Sequence, residues 1–167
     1  MNPSTITNIL RWLHVIAGAA WLGEVVVINI ILVPTLLRLE TGKRGWFLSA
    51  VFPRVFRLAS LLSLTTILAG AALNLSLSDW QLDVALNRLG TTRWGMSILI
   101  GGLLGLGVTL FHFFAESRME PLVVAAGEGI DPAQEELILR RLKIIPRVGL
   151  GVLFVVFLLM MFAVRGV

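Results

Sequence analysis

The sequence contains no cysteine, and only 14% of its residues are charged. The absence of thiols excludes disulfides, thiolate metal sites and iron–sulfur clusters. A water-soluble domain has ~25% charged and ~45–50% apolar residues, whereas this chain is 57% apolar with a mean hydropathy of +0.90. These values predict one integral membrane domain in a lipid bilayer, over residues 1–167, with no separate soluble module. The net charge of +4 does not indicate nucleic acid binding, because basic residues in a membrane protein report its topology.

Four apolar runs are long enough to cross a bilayer, which takes ~20 helical residues. They cover approximately residues 9–37, 55–77, 94–115 and 148–164. The predicted fold class is therefore all-α: a polytopic transmembrane four-helix bundle.

The basic residues are distributed unevenly between the predicted loops. Loops one and three, with their flanks, hold ten of the 14 Lys and Arg residues, and the other side holds four. Because basic loops stay in the cytoplasm, we expect a multi-pass inner-membrane protein with both termini outside, in the periplasm.

The third loop contains a helix-start pattern. Asp131 is a predicted N-cap, Pro132 suits the first helical position, and Gln134 completes a capping box. An apolar side follows at Leu137, Leu139 and Leu142. This pattern predicts a short amphipathic helix lying at the inner membrane surface.

The first span carries polar side chains on one side of its helix. At ~100° per residue, His14, Trp21, Glu24 and Asn29 share a face that should contact protein rather than lipid. Glu24 lies near mid-membrane, where a carboxyl group must be protonated, paired or hydrated. Glu24 is interpreted either as a functional group, in a catalytic proton relay or a cofactor contact, or as a neutral acid that donates to a backbone carbonyl.

The two histidines are the candidate metal ligands. His14 lies near the start of its span and His112 near the end of a parallel span, so they should lie in opposite leaflets, ~15–20 Å apart. Two axial ligands of one iron are only about 4 Å apart, so one haem bridged by both is not expected.

Each histidine has candidate neighbours at its own depth. For His14 these are Asn74 and Met96, and for His112 they are Glu116 and Met119. A His/Met pair suits haem iron or copper. The simpler alternative is a histidine that only forms hydrogen bonds within the bundle.

Small and polar residues form stripes on the second and third spans. The second has Ser63, Thr66, Gly70 and Asn74, and the third has Gly101 and Gly105. Such stripes are typical of close helix packing, and also suit a wall for a flat cofactor.

The motif from Trp12-Leu-His14 to Trp21-Leu-Gly resembles the first-span signature of membrane proteins related to the copper-resistance protein CopD. This group includes the haem-binding protoporphyrinogen oxidases of the HemJ type. Their tryptophan-to-histidine third span is similar to Trp94–His112, and their proline-started last helix to the segment around Pro146. The resemblance implies haem b bound by His14. The position that holds a lysine in the HemJ type is Ile98 here.

Three hypotheses follow. The first is a redox or haem-linked protein with His14 as the axial ligand of haem b, and Trp21, Asn74, Met96 or Glu24 beside it. The second is a non-enzymatic accessory subunit in a larger membrane complex or homo-oligomer. The third is a copper-handling protein that uses His14 with Met96, or His112 with Met119. Whether the chain is an enzyme stays open.

Overall fold

The computed structural model describes residues 3–129 and 131–165, and this part of the chain is almost entirely helical, with no strand. The predicted all-α bundle is confirmed: four helical rods are long and apolar enough to cross a membrane. The elements in chain order are α1 (Pro3–Val27), a π-helical segment (Ile28–Leu32), α2 (Val33–Arg38), α3 (Thr41–Ser76), α4 (Leu82–Thr91), α5 (Arg93–Ala125) and α6 (Pro132–Arg165).

The first rod runs through α1, the π-helical segment and α2 without a break. Pro34 lacks an N–H and its ring crowds the carbonyl four residues earlier, so the wider π turn just before it accommodates the proline. Asn29, inside this turn, donates to Val25 O at 2.8 Å and to Pro146 O of α6 at 3.0 Å. Its amide is therefore satisfied within the bundle and joins the first rod to the last.

The four rods alternate in direction, and each packs beside its neighbour in sequence. α1 packs against α3, α3 against α5 and α5 against α6, while a smaller contact between α6 and α1 closes the ring. Among the described residues, the backbones of α1 and α5 do not come close to each other, so these two helices lie diagonally across the bundle. One end of the bundle carries the turn at residues 39–40 and the connection from α5 to α6, and the helices that flank them hold ten of the 14 Lys and Arg residues. We call it the basic end, and the opposite one the termini end.

The helices are longer than a membrane is thick. α3 has 36 residues, or ~54 Å, against a hydrocarbon thickness of ~30 Å. The excess lies at the basic end, where α3, α5 and α6 each extend ten or more residues past the predicted apolar runs. The larger of the two apolar core clusters is found there and includes Leu36, Leu48, Phe52, Val123 and Ile138. The hydrophobic effect favours burial of apolar side chains only where they would otherwise contact water, outside the lipid. This explains why the larger core forms at the basic end, where the helices extend past the apolar runs.

The expected separate interfacial helix in loop three is corrected by the structure. Helix formation does start at Pro132, with Glu135 N donating to Asp131 O at 3.0 Å, but the helix continues to Arg165 as the first turns of α6. Ile138 and Leu142 are buried in the core at the basic end, whereas Leu137 is exposed. The segment continues along the axis of α6 instead of lying along the membrane surface, because its buried face packs against the other helices.

The second loop contains a helix that the sequence analysis did not predict. Arg88 of α4 donates to Asn74 O at 2.9 Å and to Leu77 O at 2.8 Å, two carbonyls that the end of α3 leaves open. The same guanidinium lies 4.8 Å from the ring centroid of Trp94. α4 therefore caps α3 and joins it to the start of α5.

A buried ion pair fastens the basic end. Arg44 Nη1 of α3 lies 2.8 Å from Glu135 Oε1 of α6, and Arg44 Nε donates to Leu39 O at 2.9 Å. The Glu135 side chain is only 8% exposed. One arginine thus holds the first rod, α3 and α6 together.

Candidate functional site

His14 is positioned by a backbone carbonyl on the neighbouring helix. Its Nδ1 lies 2.8 Å from Thr66 O, and because a carbonyl can only accept, Nδ1 carries the proton. Nε2 is therefore the unprotonated nitrogen of the neutral ring, and it has no hydrogen-bond partner among the described residues. Metal-ligating histidines commonly donate their second ring N–H to a backbone carbonyl, which fixes the ring's orientation. His14 thus has the geometry of a ligand whose Nε2 is available.

Gly70 makes this hydrogen bond possible. A Cβ at position 70 would lie 2.8 Å from His14 Nδ1 and Cε1, closer than real contacts allow. Gly18, one turn along α1 from His14, lies against Thr66, where a Cβ would approach the threonine methyl to 3.4 Å. The small-residue stripe on α3 therefore accommodates the imidazole, in addition to bringing the helices together.

The expected neighbours of His14 at the termini end lie elsewhere. Asn74 Oδ1 accepts from Arg88 Nη2 at 2.7 Å, so its amide belongs to the cap of α3. Met96 is 43% exposed on α5, the helix diagonally across from α1. The structure thus places neither beside the imidazole.

Trp21 lies at the centre of the bundle. Its side chain is 4% exposed and packs with Val25 of α1 and Leu153 of α6. It lines a cavity that also reaches His112, rather than lying against His14, from which it is separated by seven residues or ~10 Å of helix.

His112 forms a cluster with Ser60 and Glu116. Its Nε2 lies 3.1 Å from Ser60 Oγ, 3.3 Å from Phe56 O and 3.6 Å from Glu116 Oε2. Ser60 donates a short hydrogen bond to Glu116 Oε2. Since Phe56 O can only accept, Nε2 carries a proton, and Nδ1 is left for a ligand.

This cluster is not a hydrolytic triad. In a triad one ring nitrogen contacts the serine and the other contacts the carboxylate. Here both partners of His112 face Nε2, so the imidazole cannot pass a proton from Ser60 through the ring to Glu116. Hydrogen bonding and ligand binding remain the chemistry available to it.

The two histidines occupy different depths. His14 contacts α3 at Thr66 and Gly70, and His112 contacts the same helix at Phe56 and Ser60. Ten residues of α3 separate the two positions, which is ~15 Å of helix. This separation is too large for both imidazoles to ligate one iron, as the sequence analysis expected.

Glu24 carries a buried carboxyl group without a partner. Neither Oε1 nor Oε2 has a hydrogen bond in the described part of the chain, and both atoms are inaccessible. The neutral-acid alternative required a hydrogen bond to a backbone carbonyl, and none is formed here. The carboxyl is therefore the one described acidic group that is both buried and unengaged.

An apolar cavity of about 90 Å³ lies within the bundle on the side of the basic end. Its walls include Trp21, Phe56 and Leu153, and its polar groups come from His112, Glu116 and Arg141. Cofactor pockets usually measure ~300–1,000 Å³, so this cavity suits a small ligand or a few waters. Met119, which also lines it, was an expected partner of His112.

Sequence reasoning missed Ser60. A single serine in an apolar span carries no signal of the helix that it faces. Ser60 lies four residues after Phe56 and three before Ser63, so helical spacing puts all three on the packed side of α3. This spacing was the only signal in the sequence that Ser60 faces another helix.

Comparison with known proteins gives no match: no protein-family model, no curated protein and no solved structure is similar to this chain at a significant level. The described residues also contain no group of three or more His, Asp or Glu side chains arranged to hold a metal ion.

Proposed function

We propose that this integral membrane protein binds haem b through His14 Nε2 and takes part in a redox step in the cell inner membrane. The supporting observation is the hydrogen bond of 2.8 Å from His14 Nδ1 to Thr66 O, which leaves Nε2 out of this bond and fixes the plane of the ring. The resemblance of the first span to CopD- and HemJ-type proteins supports the same assignment.

His14 is the residue that would hold the haem iron, through Nε2. Gly70 leaves the imidazole room, Gly18 lets α1 approach Thr66, and Thr66 O orients the ring. A bound haem would supply one-electron transfer, while the protein orients the ligand nitrogen through the bond at Nδ1 and retains Glu24 as an unengaged carboxyl ten residues further along the same helix. We assign Glu24 the role of accepting the proton that a lipophilic hydrogen donor loses when it gives an electron to the haem, and of releasing that proton afterwards.

The test is an absorption spectrum and a metal analysis of protein purified in mild detergent. We expect a Soret band, and His14→Ala should abolish it while the protein still inserts. His112→Ala is the matched control, since it removes the second imidazole ~15 Å away and should leave the band. Equal loss in both variants would show that the haem assignment to His14 is wrong.

A copper site is the second candidate, because His112 and Met119 line one cavity. An imidazole and a thioether are suitable soft ligands for Cu(I). Copper without a Soret band, lost in His112→Ala but not in His14→Ala, would favour this candidate. Neither haem nor copper in the purified protein would favour the accessory-subunit hypothesis.

A further inference from the structure

A second, more open groove lies between α5 and α6 on the outside of the bundle. It measures about 390 Å³ and adjoins the inner cavity, with which it shares Phe111 and Arg141. Its apolar walls include Phe111, Phe114, Leu122 and Ile145. Two cations, Arg118 of α5 and Arg141 of α6, contribute to the same groove.

Neither guanidinium is neutralised by the protein. Arg118 lies over the ring of Phe114, 5.3 Å from its centroid, and Arg141 contacts Met119 Sδ at 3.8 Å. Within residues 3–129 and 131–165, neither has a carboxylate oxygen within 4.0 Å. By contrast, Arg44 and Arg57 pair with Glu135 and Glu120. Arg118 is exposed and Arg141 is half-buried, so both positive charges beside the apolar groove are available to a negative partner from outside the chain.

The depth of the two arginines fits a phospholipid headgroup. Arg118 lies seven residues before the end of α5, and Arg141 lies nine residues after the start of α6, so both are ~10–14 Å from the helix tips. The apolar runs end at residue 115 on α5 and begin at 148 on α6, which places both guanidinium groups just outside the hydrocarbon. Phe111 and Phe114 lie deeper, at the level of acyl chains.

We propose that this groove binds one anionic phospholipid, with its phosphate between Arg118 and Arg141 and an acyl chain along Phe111 and Phe114. Guanidinium groups form strong charge-assisted hydrogen bonds to phosphate, and basic pockets between membrane helices recognise anionic headgroups. The groove is apolar on the membrane side and cationic on the headgroup side, which matches the polarity of such a lipid along its length.

The test is a lipid titration of the purified full chain in neutral detergent, followed by native mass spectrometry. We expect phosphatidylglycerol to bind more tightly than phosphatidylcholine with the same acyl chains. Arg118→Gln and Arg141→Gln should each weaken phosphatidylglycerol binding about fivefold, and together ~25-fold. Arg140→Gln is the matched control, because it removes an exposed neighbouring charge that does not line the groove.

Unchanged phosphatidylglycerol binding in the double variant would overturn the proposal, as would equal affinity of the wild type for both lipids. Inorganic phosphate at millimolar concentration distinguishes a lipid from a soluble anion. Failure of phosphate to displace the lipid supports the acyl-chain contact, and full displacement shows a soluble-anion site instead. Helix content by circular dichroism confirms that each variant is folded.

Discussion

The backbone carbonyl of Thr66 and the imidazole of His14 form a hydrogen bond of 2.8 Å that crosses from α3 to α1. This bond fixes the orientation of the histidine that lies nearer the termini end. It depends on Gly70, since the imidazole occupies the space that a side chain at that position would need.

Gly70→Ala should therefore displace the imidazole without removing it. The added Cβ lies 2.8 Å from two ring atoms, and overpacking of this kind costs about 1–3 kcal/mol. We expect a lower unfolding midpoint and at least tenfold weaker haem binding, measured by thermal unfolding and by Soret titration.

Gly102→Ala is the control for this change. A Cβ at Gly102 has no neighbour within 4 Å, so the substitution should raise helix stability or leave it unchanged. If Gly70→Ala binds haem as tightly as Gly102→Ala, the Thr66–His14 arrangement does not hold a haem ligand.

The sequence predicted the four membrane rods because long apolar runs dictate them, but it underestimated their length. Residues 41–54 contain enough charge to be interpreted as a loop, and the segment from Pro132 was expected to form a separate interfacial helix. Both segments instead lengthen membrane rods, because their apolar faces bury one another at the basic end. No single-helix pattern shows this, since the packing partner lies on a different rod.

The sites were predictable in part for a similar reason. Glu116 was expected beside His112 because helical spacing alone brings residues four apart together. The partner of His14 was not predictable, since any backbone carbonyl can accept and none has a sequence signal. Asn74 was expected near His14, but Arg88 of the unpredicted helix α4 binds it instead.

Glu24→Gln separates a structural role from proton transfer. Because the carboxyl has no ion-pair or hydrogen-bond partner in the described residues, the amide replaces one unpartnered polar group by another of similar shape. The unfolding free energy should therefore change by less than the ~1–3 kcal/mol that a newly unsatisfied buried group costs. Turnover should stop, because an amide cannot cycle a proton. The rate at which a lipophilic reductant reduces the bound haem measures this, and an undiminished rate would remove Glu24 from the proposed site.

The Arg44–Glu135 pair should determine the stability of the basic end. Removing one partner of a buried pair leaves an uncompensated charge, so Arg44→Ala and Glu135→Ala should each cost about 3 kcal/mol. The thermal unfolding midpoint should fall by roughly 6–12 °C for a chain of this size.

Two further variants check that argument. Lys43→Ala breaks the pair between Lys43 and Glu40, in which the two side chains are 67% and 78% exposed. The free energy of unfolding should fall by less than ~1 kcal/mol. The double variant Arg44→Met/Glu135→Leu should be more stable than either single alanine variant, because no charge stays buried alone. Equal losses for the exposed and buried pairs would contradict the role given to Arg44.

The orientation of the bundle is the last prediction. Because the rods alternate in direction, the turn at residues 39–40 and the connection from α5 to α6 lie at the same end, and the helices that flank them hold ten of the 14 basic residues. Such a concentration keeps that end in the cytoplasm, so both termini should face the periplasm.

A periplasm-active reporter fused after residue 167 should be active, and the same reporter inserted at Gly42 should be silent. Substitution of Lys43, Arg44, Arg54 and Arg57 by glutamine should create a mixed population, since these four charges carry much of the bias. A cytoplasmic signal from the C-terminal fusion in the unaltered chain would reverse the assignment and place Arg118 and Arg141 at the outer surface.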